Sequence, residues 1–373
     1  MTNRDRLVET FLELCRINSP SLQEARVADH LCGLLQAMGL EVVRDRAHET
    51  IRGQCGNLFA TLPGNAPGAE PLFLSAHMDT IEPNPDLVVI SDGATIRSDG
   101  SSILGADDKA GIAPILEALR VVIENDLPHG DIQVAFSISE ETGLRGARYM
   151  DDSLLGPRCG FVLDTGPPVG TILTSAPAHD ILEATFTGHS AHAGIEPEKG
   201  ISAIQVAARA VDTMPLGRID AETTANIGSI HGGQATNIVC GEVILRAEAR
   251  SRSEAKLEAQ VQAMEAAMRA AADAFSASVA INRFNAYPGY VHSEEALPVR
   301  LAASAGAALG LPVSMIGGGG GSDANFLNQR GRCAVVLGTA MRAVHTHQEY
   351  VVIDELVATA AWLVAILQEA ART

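Results

Sequence analysis

The stretch Pro71-Leu72-Phe73-Leu74-Ser75-Ala76-His77-Met78-Asp79-Thr80 decides the fold. Its first half is a short apolar run bounded by Pro71 and His77, the pattern of a strand buried on both faces. Its second half delivers a histidine and an aspartate at the carboxyl end of that strand. Three further stretches repeat the arrangement. IQVAFSISEET (132–142) ends in Glu140 and Glu141, CGFVLDTG (159–166) in Asp164, and CAVVLGTAMRAVHTHQE (333–349) in His345 and His347. In GADDKAG (105–111), Asp107 stands where a loop enters a helix. Open α/β sheets gather their sites beyond the carboxyl ends of their strands. These segments therefore predict an α/β domain with one such site.

Working outward, residues 4–17 and 22–38 read as amphipathic helices and LEVVRD and GNLFATL as strands. Residues 109–125 and 143–151 follow as helices. From about residue 178 the pattern changes to strand (ILEATFTG), helix (198–214), strand (TTANIGSI), strand (VILRAEARS), helix (253–275), strand (ASVAINRF). That β-α-β-β-α-β order predicts a ferredoxin-like α+β unit. Helix–strand alternation then resumes, with helices 294–309 and 353–371 and strands VSMI and AVVLG. The expected architecture is a discontinuous three-layer α/β domain, 1–177 plus 289–373, with a mixed, mostly parallel sheet. An α+β domain over 178–288 is inserted in it. His345 is needed beside the earlier ligand positions, so the two ends must share a sheet.

The bulk numbers exclude several classes. A chain of 373 residues with a net charge of −18 is not expected to bind nucleic acid, which needs a basic surface. No run approaches the roughly 20 apolar residues of a membrane helix, and the N-terminus lacks a signal-peptide core. The six cysteines form no CxxC pair and lie in apolar runs, as in a reduced, cytoplasmic protein.

The ligand-type residues carry chemistry together. Residues i and i+2 of a strand point to one side, so Asp79 can orient the His77 imidazole and leave its other nitrogen free for a metal. Taken alone, His77 reads as a buried histidine and Asp107 as a helix cap. A carboxylate between two metals is a recurring element of two-metal hydrolases, and Asp107 is suited to that place. Glu140 and Glu141 would repel each other unless a cation is near. One can bind metal while the other takes a proton from water. Of His345 and His347, one is expected to be a ligand. Nitrogen–oxygen donor sets of this kind suit zinc, with cobalt or manganese as substitutes.

The motifs SAHMDT, GADDKAG, SEETGLRGA, VLDTG, GHSAHAG, GGQATNIV, GGGSDAN and HTHQE, in this order, resemble the aminoacylase / glutamate carboxypeptidase / peptidase T superfamily of dizinc metallopeptidases. They are most similar to its peptidase T-like tripeptidase branch. The resemblance implies two zinc ions per chain. His77 and Asp164 would bind one, Glu141 and His345 the other, and Asp107 would bridge them. Asp79 would orient His77, and Glu140 would be the general base.

The inserted domain would be a lid and dimerisation domain. It would supply His192 to polarise the scissile carbonyl, from its own or the partner subunit, and Asn237 and Arg250 to bind substrate. Asn237 and Arg250 are read as joined by a strand, a turn and a return strand. The run Gly317–Gly321 with Ser322 and Asp323 lacks a phosphate-loop ending. Gly319, Ser322 and Asp323 are read as substrate-binding positions, although peptidase T has an arginine ahead of its glycines and this chain does not. The implied activity is hydrolysis of short peptides as a tripeptide or dipeptide aminopeptidase. The alternatives are an N-acyl amino acid amidohydrolase or a glutamate-type carboxypeptidase, and, from another class, a catalytically dead binding protein.

Overall fold

The computed structural model describes residues 1–166 and 168–372. They form two compact units. The first is Met1–Ser175 with His292–Gly318 and Ser322–Thr373; the second is Ala176–Val291 with Gly319–Gly321.

The first unit is built on a mixed sheet. Its strand order is Glu41–Arg44, Leu58–Leu62, Ile132–Ser137, Leu72–His77, Cys159–Val162, Cys333–Leu337, Thr171–Ala176, and Ser314–Gly317 pairs with the last of these. The central pairings are parallel: Leu72–His77 with both Ile132–Ser137 and Cys159–Val162, and the latter with Cys333–Leu337. Every residue of Leu72–His77 and of Ile132–Ser137 is buried, which is why these segments read as continuous apolar runs. Gly160 makes the close packing possible: a Cβ there would lie 2.4 Å from the Phe73 ring of the neighbouring strand. Helices Arg4–Cys15, Ala106–Glu124, Leu297–Ala308 and Ile353–Ala370 pack together against this sheet. The buried Trp362 indole donates to the Ala302 carbonyl at 2.9 Å and ties two of them. A smaller antiparallel sheet joins Val89–Ser91, Thr95–Ser98, Tyr350–Val352 and Met341–Arg342.

Three local expectations are corrected. Thr171–Ala176 is a strand, antiparallel to Cys333–Leu337, where no element was expected. The helix expected over 143–151 is only Arg145–Arg148, because Leu144 takes a left-handed conformation (φ 56°) and the chain must turn first. The helix expected over 198–214 starts at Ala203, where the Ser202 side chain caps it.

In the second unit the antiparallel sheet runs Gly217–Arg218, Thr223–Gly232, Glu242–Ser251, Ala178–Thr187, Ser278–Tyr287. Helices Ala203–Thr213 and Glu254–Ala274 cover it and enclose a core of Leu182, Phe186, Val206, Leu245, Met264 and Met268. The connectivity is ferredoxin-like. Among the described residues no helix is long and apolar enough to cross a membrane.

Candidate active site and metal centre

Two sets of ligand atoms converge beyond the carboxyl ends of the central strands. His77, Asp107 and Asp164 form one; Asp107, Glu141 and His345 form the other. His77 closes the strand Leu72–His77, and Asp164 follows Cys159–Val162 by two residues. Asp107 lies at the entry to the helix Ala106–Glu124. Its two oxygens face different partners. Oδ1 is 3.0 Å from His77 Nε2, and Oδ2 is 3.3 Å from His345 Nε2. His345 Nε2 is also 3.2 Å from Glu141 Oε2. Donors sharing one tetrahedral cation at ~2.0–2.1 Å lie ~3.3 Å apart, so these spacings suit ligand sets.

The support beneath the ligands is dense. Glu349, buried, accepts the main-chain N–H of Gly105 at 2.7 Å and of Asp107 at 3.0 Å, which fixes the loop carrying Asp107. The buried Lys109 ammonium donates to Ser19 Oγ at 2.9 Å, and Ser19 donates to the Met78 carbonyl at 3.0 Å. The charge of Lys109 is thereby held below the strand end.

Several expected details come out differently. His77 Nδ1 lies 3.0 Å from the main-chain carbonyl of Asp79 and 3.4 Å from its carboxylate, so the imidazole is oriented chiefly by the main chain. The Asp79 carboxylate instead takes the N–H groups of Glu140 and Glu141 and the Ser21 hydroxyl. Glu140 and Glu141 are not on a strand; they sit in the turn after Ile132–Ser137, entered through Ser139 at φ 50°. His345 (φ 63°) is likewise in a turn, between Met341–Arg342 and Tyr350–Val352. His347 pairs with Glu82 at 2.7 Å instead of joining either ligand set.

The electrostatics describe a cluster short of positive charge. Burial, and then Asp107, push the Asp164 carboxyl well above its ordinary range. Burial, and then Asp164, do the same to Glu140. Burial disfavours a charge on His77, but Asp107 and Asp79 outweigh it and hold the imidazole well above its usual value. Asp107 and Glu141 raise His345 to about 10. Buried Glu141 Oε1 and Asp108 Oδ1 have no hydrogen-bond partner. Carboxyls driven toward neutrality and imidazoles toward protonation mark a donor set built for cations. The residues present therefore fit a pair of divalent cations.

The remaining expected positions lie elsewhere. Ser322 and Asp323 are 4% and 1% exposed. At the start of Asp323–Gln329 the Asn325 side chain accepts the Ser322 main-chain N–H at 3.0 Å. The Asp323 carboxyl accepts from Ser137 and is raised to about 6 by burial. Both are buried, and Ser322 Oγ and Asp323 Oδ1 have no hydrogen-bond partner. Gly319 is exposed and has open space where a Cβ would stand.

In the second unit, His192 and Asn237 are neighbours: Ala193 N donates to the Asn237 carbonyl at 2.9 Å, and His192 bridges to Ile238. Both lie in loops at the end of the sheet where Thr187 pairs with Glu242. Arg250 is at the other end of the strand Glu242–Ser251, beside His179. The expected strand–turn–strand between Asn237 and Arg250 is thus a loop and one strand. At ~3.3 Å per residue the eight steps from Glu242 to Arg250 span ~26 Å.

The fold and the paired ligand sets define a metal-site hydrolase. Over residues 73–369 the sequence matches Peptidase family M20/M25/M40, and the chain belongs to this family. The uncharacterized protein YqjE of Bacillus subtilis (strain 168) is 41% identical over 372 residues, covering 100% of both chains. Among solved structures, the chain is similar to a tripeptidase from Staphylococcus aureus subsp. aureus mu50, with TM-score 0.97 and 38% identity over 100% of both chains. It is also similar to the aminopeptidase PepT from Bacillus cereus ATCC 10987, with TM-score 0.93 and 39% identity over 99% of both. The expected peptidase T-like branch and the mixed α/β fold agree with these matches.

Proposed function

We propose that this peptidase is a zinc-dependent aminopeptidase of short peptides, with tripeptides and dipeptides as substrates. The observation that carries the reading is the pair of ligand sets sharing Asp107, with the buried Glu140 beside them. The full-length likeness to a tripeptidase and to an aminopeptidase supports the substrate class. His77 and Asp164 would hold one cation, Glu141 and His345 the other, and Asp107 both. The bound pair supplies Lewis acidity to a water and to the scissile carbonyl.

Glu140 is the proton carrier: it takes a proton from the attacking water and returns it to the leaving amine. Its burial beside the ligand sets places it for that exchange. Asp79 holds the turn that aims it. His192 donates to the developing oxyanion, Asn237 binds the peptide main chain, and Arg250 takes the substrate's terminal carboxylate.

An extended tripeptide is ~10 Å long. Asn237 lies in a loop beyond Glu242, and Glu242 is ~26 Å of strand from Arg250, too far for one chain's pair to grip such a peptide. We therefore infer a homodimer through the inserted domain, in which His192 and Asn237 serve the partner's site. A cytoplasmic location is supported by six free cysteines.

Hydrolysis of Ala-Ala-Ala against its N-acetylated form, by zinc-loaded protein, tests the reading. Release of alanine from the free tripeptide alone is expected. Preference for the acetylated peptide would move the protein to the deacylase or carboxypeptidase class.

A further inference from the structure

The Arg250 guanidinium is held on two sides within the second unit. Its Nε donates to Glu248 Oε1 at 3.2 Å and its Nη2 to Glu248 Oε2 at 3.0 Å, a two-pronged grip on one edge. Its Nη1 donates to the Tyr287 hydroxyl at 3.1 Å. Glu248 and Arg250 are two apart on the strand Glu242–Ser251, so their side chains leave the same face. Tyr287 comes from a different strand, Ser278–Tyr287. The plane of the guanidinium is thus set from two elements. Three of the five N–H donors of a guanidinium are used, leaving one on each Nη. That pair is the fork that receives a carboxylate with two parallel hydrogen bonds.

Each holder is itself held. His179 Nε2 lies 2.9 Å from Glu248 Oε2, a close contact not aligned as a hydrogen bond. His179 and then Arg250 keep the Glu248 carboxyl low, at about 2, so it remains an acceptor at any working pH. The His179 and Tyr287 rings meet edge to face at 5.0 Å between centroids. On another side of Tyr287 stands the glycine run: a Cβ at Gly321 would lie 2.5 Å from Tyr287 Cζ. Glycine is needed at 321 for this ring to occupy its place.

We propose that Glu248 and Tyr287 are positioning residues that fix the guanidinium plane of Arg250, presenting its free fork to the C-terminal carboxylate of the peptide substrate. Gly321 is the residue that makes room for Tyr287. The glycine run then acts in carboxylate recognition through this ring. The proposal rests on the reading that Arg250 meets the substrate carboxylate, and it adds the residues that make that arginine selective. A flexible arginine would bind a carboxylate with less discrimination, because its side-chain freedom must be given up on binding.

The test compares kcat/KM of the metal-loaded enzyme for Ala-Ala-Ala and for Ala-Ala-Ala-amide. A fraction of misfolded protein lowers both rates equally, so the acid-to-amide ratio reports carboxylate recognition alone. Tyr287→Phe, Glu248→Gln and Gly321→Ala are each expected to lower the ratio about tenfold, mainly through KM for the acid. Arg250→Ala is expected to abolish the preference. If Arg250→Ala abolishes it while Tyr287→Phe and Glu248→Gln leave it unchanged, the positioning role is overturned and the role of Arg250 stands. If Arg250→Ala leaves the ratio unchanged, both are overturned.

Discussion

The Asp79 carboxylate accepts the main-chain N–H of Glu140 at 3.0 Å, and with its second oxygen that of Glu141 at 3.2 Å. Glu24 extends the grip by one residue. Its Oε1 accepts Ser139 N at 2.9 Å and Ser139 Oγ at 3.0 Å. Three consecutive N–H groups, 139 to 141, are therefore held by two buried carboxylates. The turn that carries a candidate ligand and the candidate base is fixed by its main chain, leaving both glutamate side chains for chemistry.

Removing one half of this grip is costly. Glu24→Ala strands a buried N–H and a hydroxyl, and is expected to lower unfolding stability by about 2 kcal/mol and kcat about tenfold. Glu24→Gln keeps an accepting oxygen and is expected to recover most of both. Urea unfolding and steady-state kinetics on the pair of variants check this. Equal behaviour of alanine and glutamine would show that the acceptor does not matter.

Glu140→Gln preserves the shape of the turn but removes the proposed proton carrier. We expect kcat to fall by about 10²–10⁴-fold with metal content unchanged. Elemental analysis alongside kinetics separates this from ligand loss. A variant retaining a tenth or more of wild-type kcat would exclude Glu140 as the base.

The shared position of Asp107 makes a counting prediction. His345→Ala and Asp164→Asn should each retain one cation per chain after desalting, whereas Asp107→Ala should lose both. Cations that bind only the folded state also stabilise it, by about 2.7 kcal/mol at a hundredfold excess over Kd. Chelation should lower Tm and zinc should restore it. Two cations retained by Asp107→Ala would rule out a bridge.

A pH dependence follows from Glu248. His179 and Arg250 depress its folded-state pKa from 4.5 to about 2. A depressed carboxyl contributes stability that is complete above its unfolded pKa and is lost as pH falls through the folded value. The stability difference between wild type and Glu248→Gln should therefore be largest above about pH 5. It should shrink steadily as pH drops from about 4.5 toward 2. Urea titrations of both proteins across that range measure it, and a difference independent of pH would contradict the assignment.

The central strands were legible because burial on both faces demands apolar runs, and the polar candidate residues that follow those runs stand out. The ferredoxin-like order was legible for the same reason of periodicity. Thr171–Ala176 was not: its two threonines and a serine interrupt the apolar pattern, although a neighbouring strand makes it part of the sheet. Nor were Glu24 and Glu349, whose work is to accept main-chain N–H groups 115 and 242 residues away. No spacing rule marks such a residue. His345 was found through its motif; the turn that presents it depends on contacts between short strands far apart in the chain.

The dependence of Asp107 on Glu349 has a temporal side. The loop at Gly105–Asp107 is strapped by a side chain that leaves the ribosome some 240 residues later, together with the candidate ligand His345. At synthesis rates of ~5–20 residues per second, that is an interval of ~12–48 s in which the first ligands exist without their strut. A peptidase assembled in this order is inert while it is being made. The candidate centre is completed only by a segment made some 240 residues after its first members.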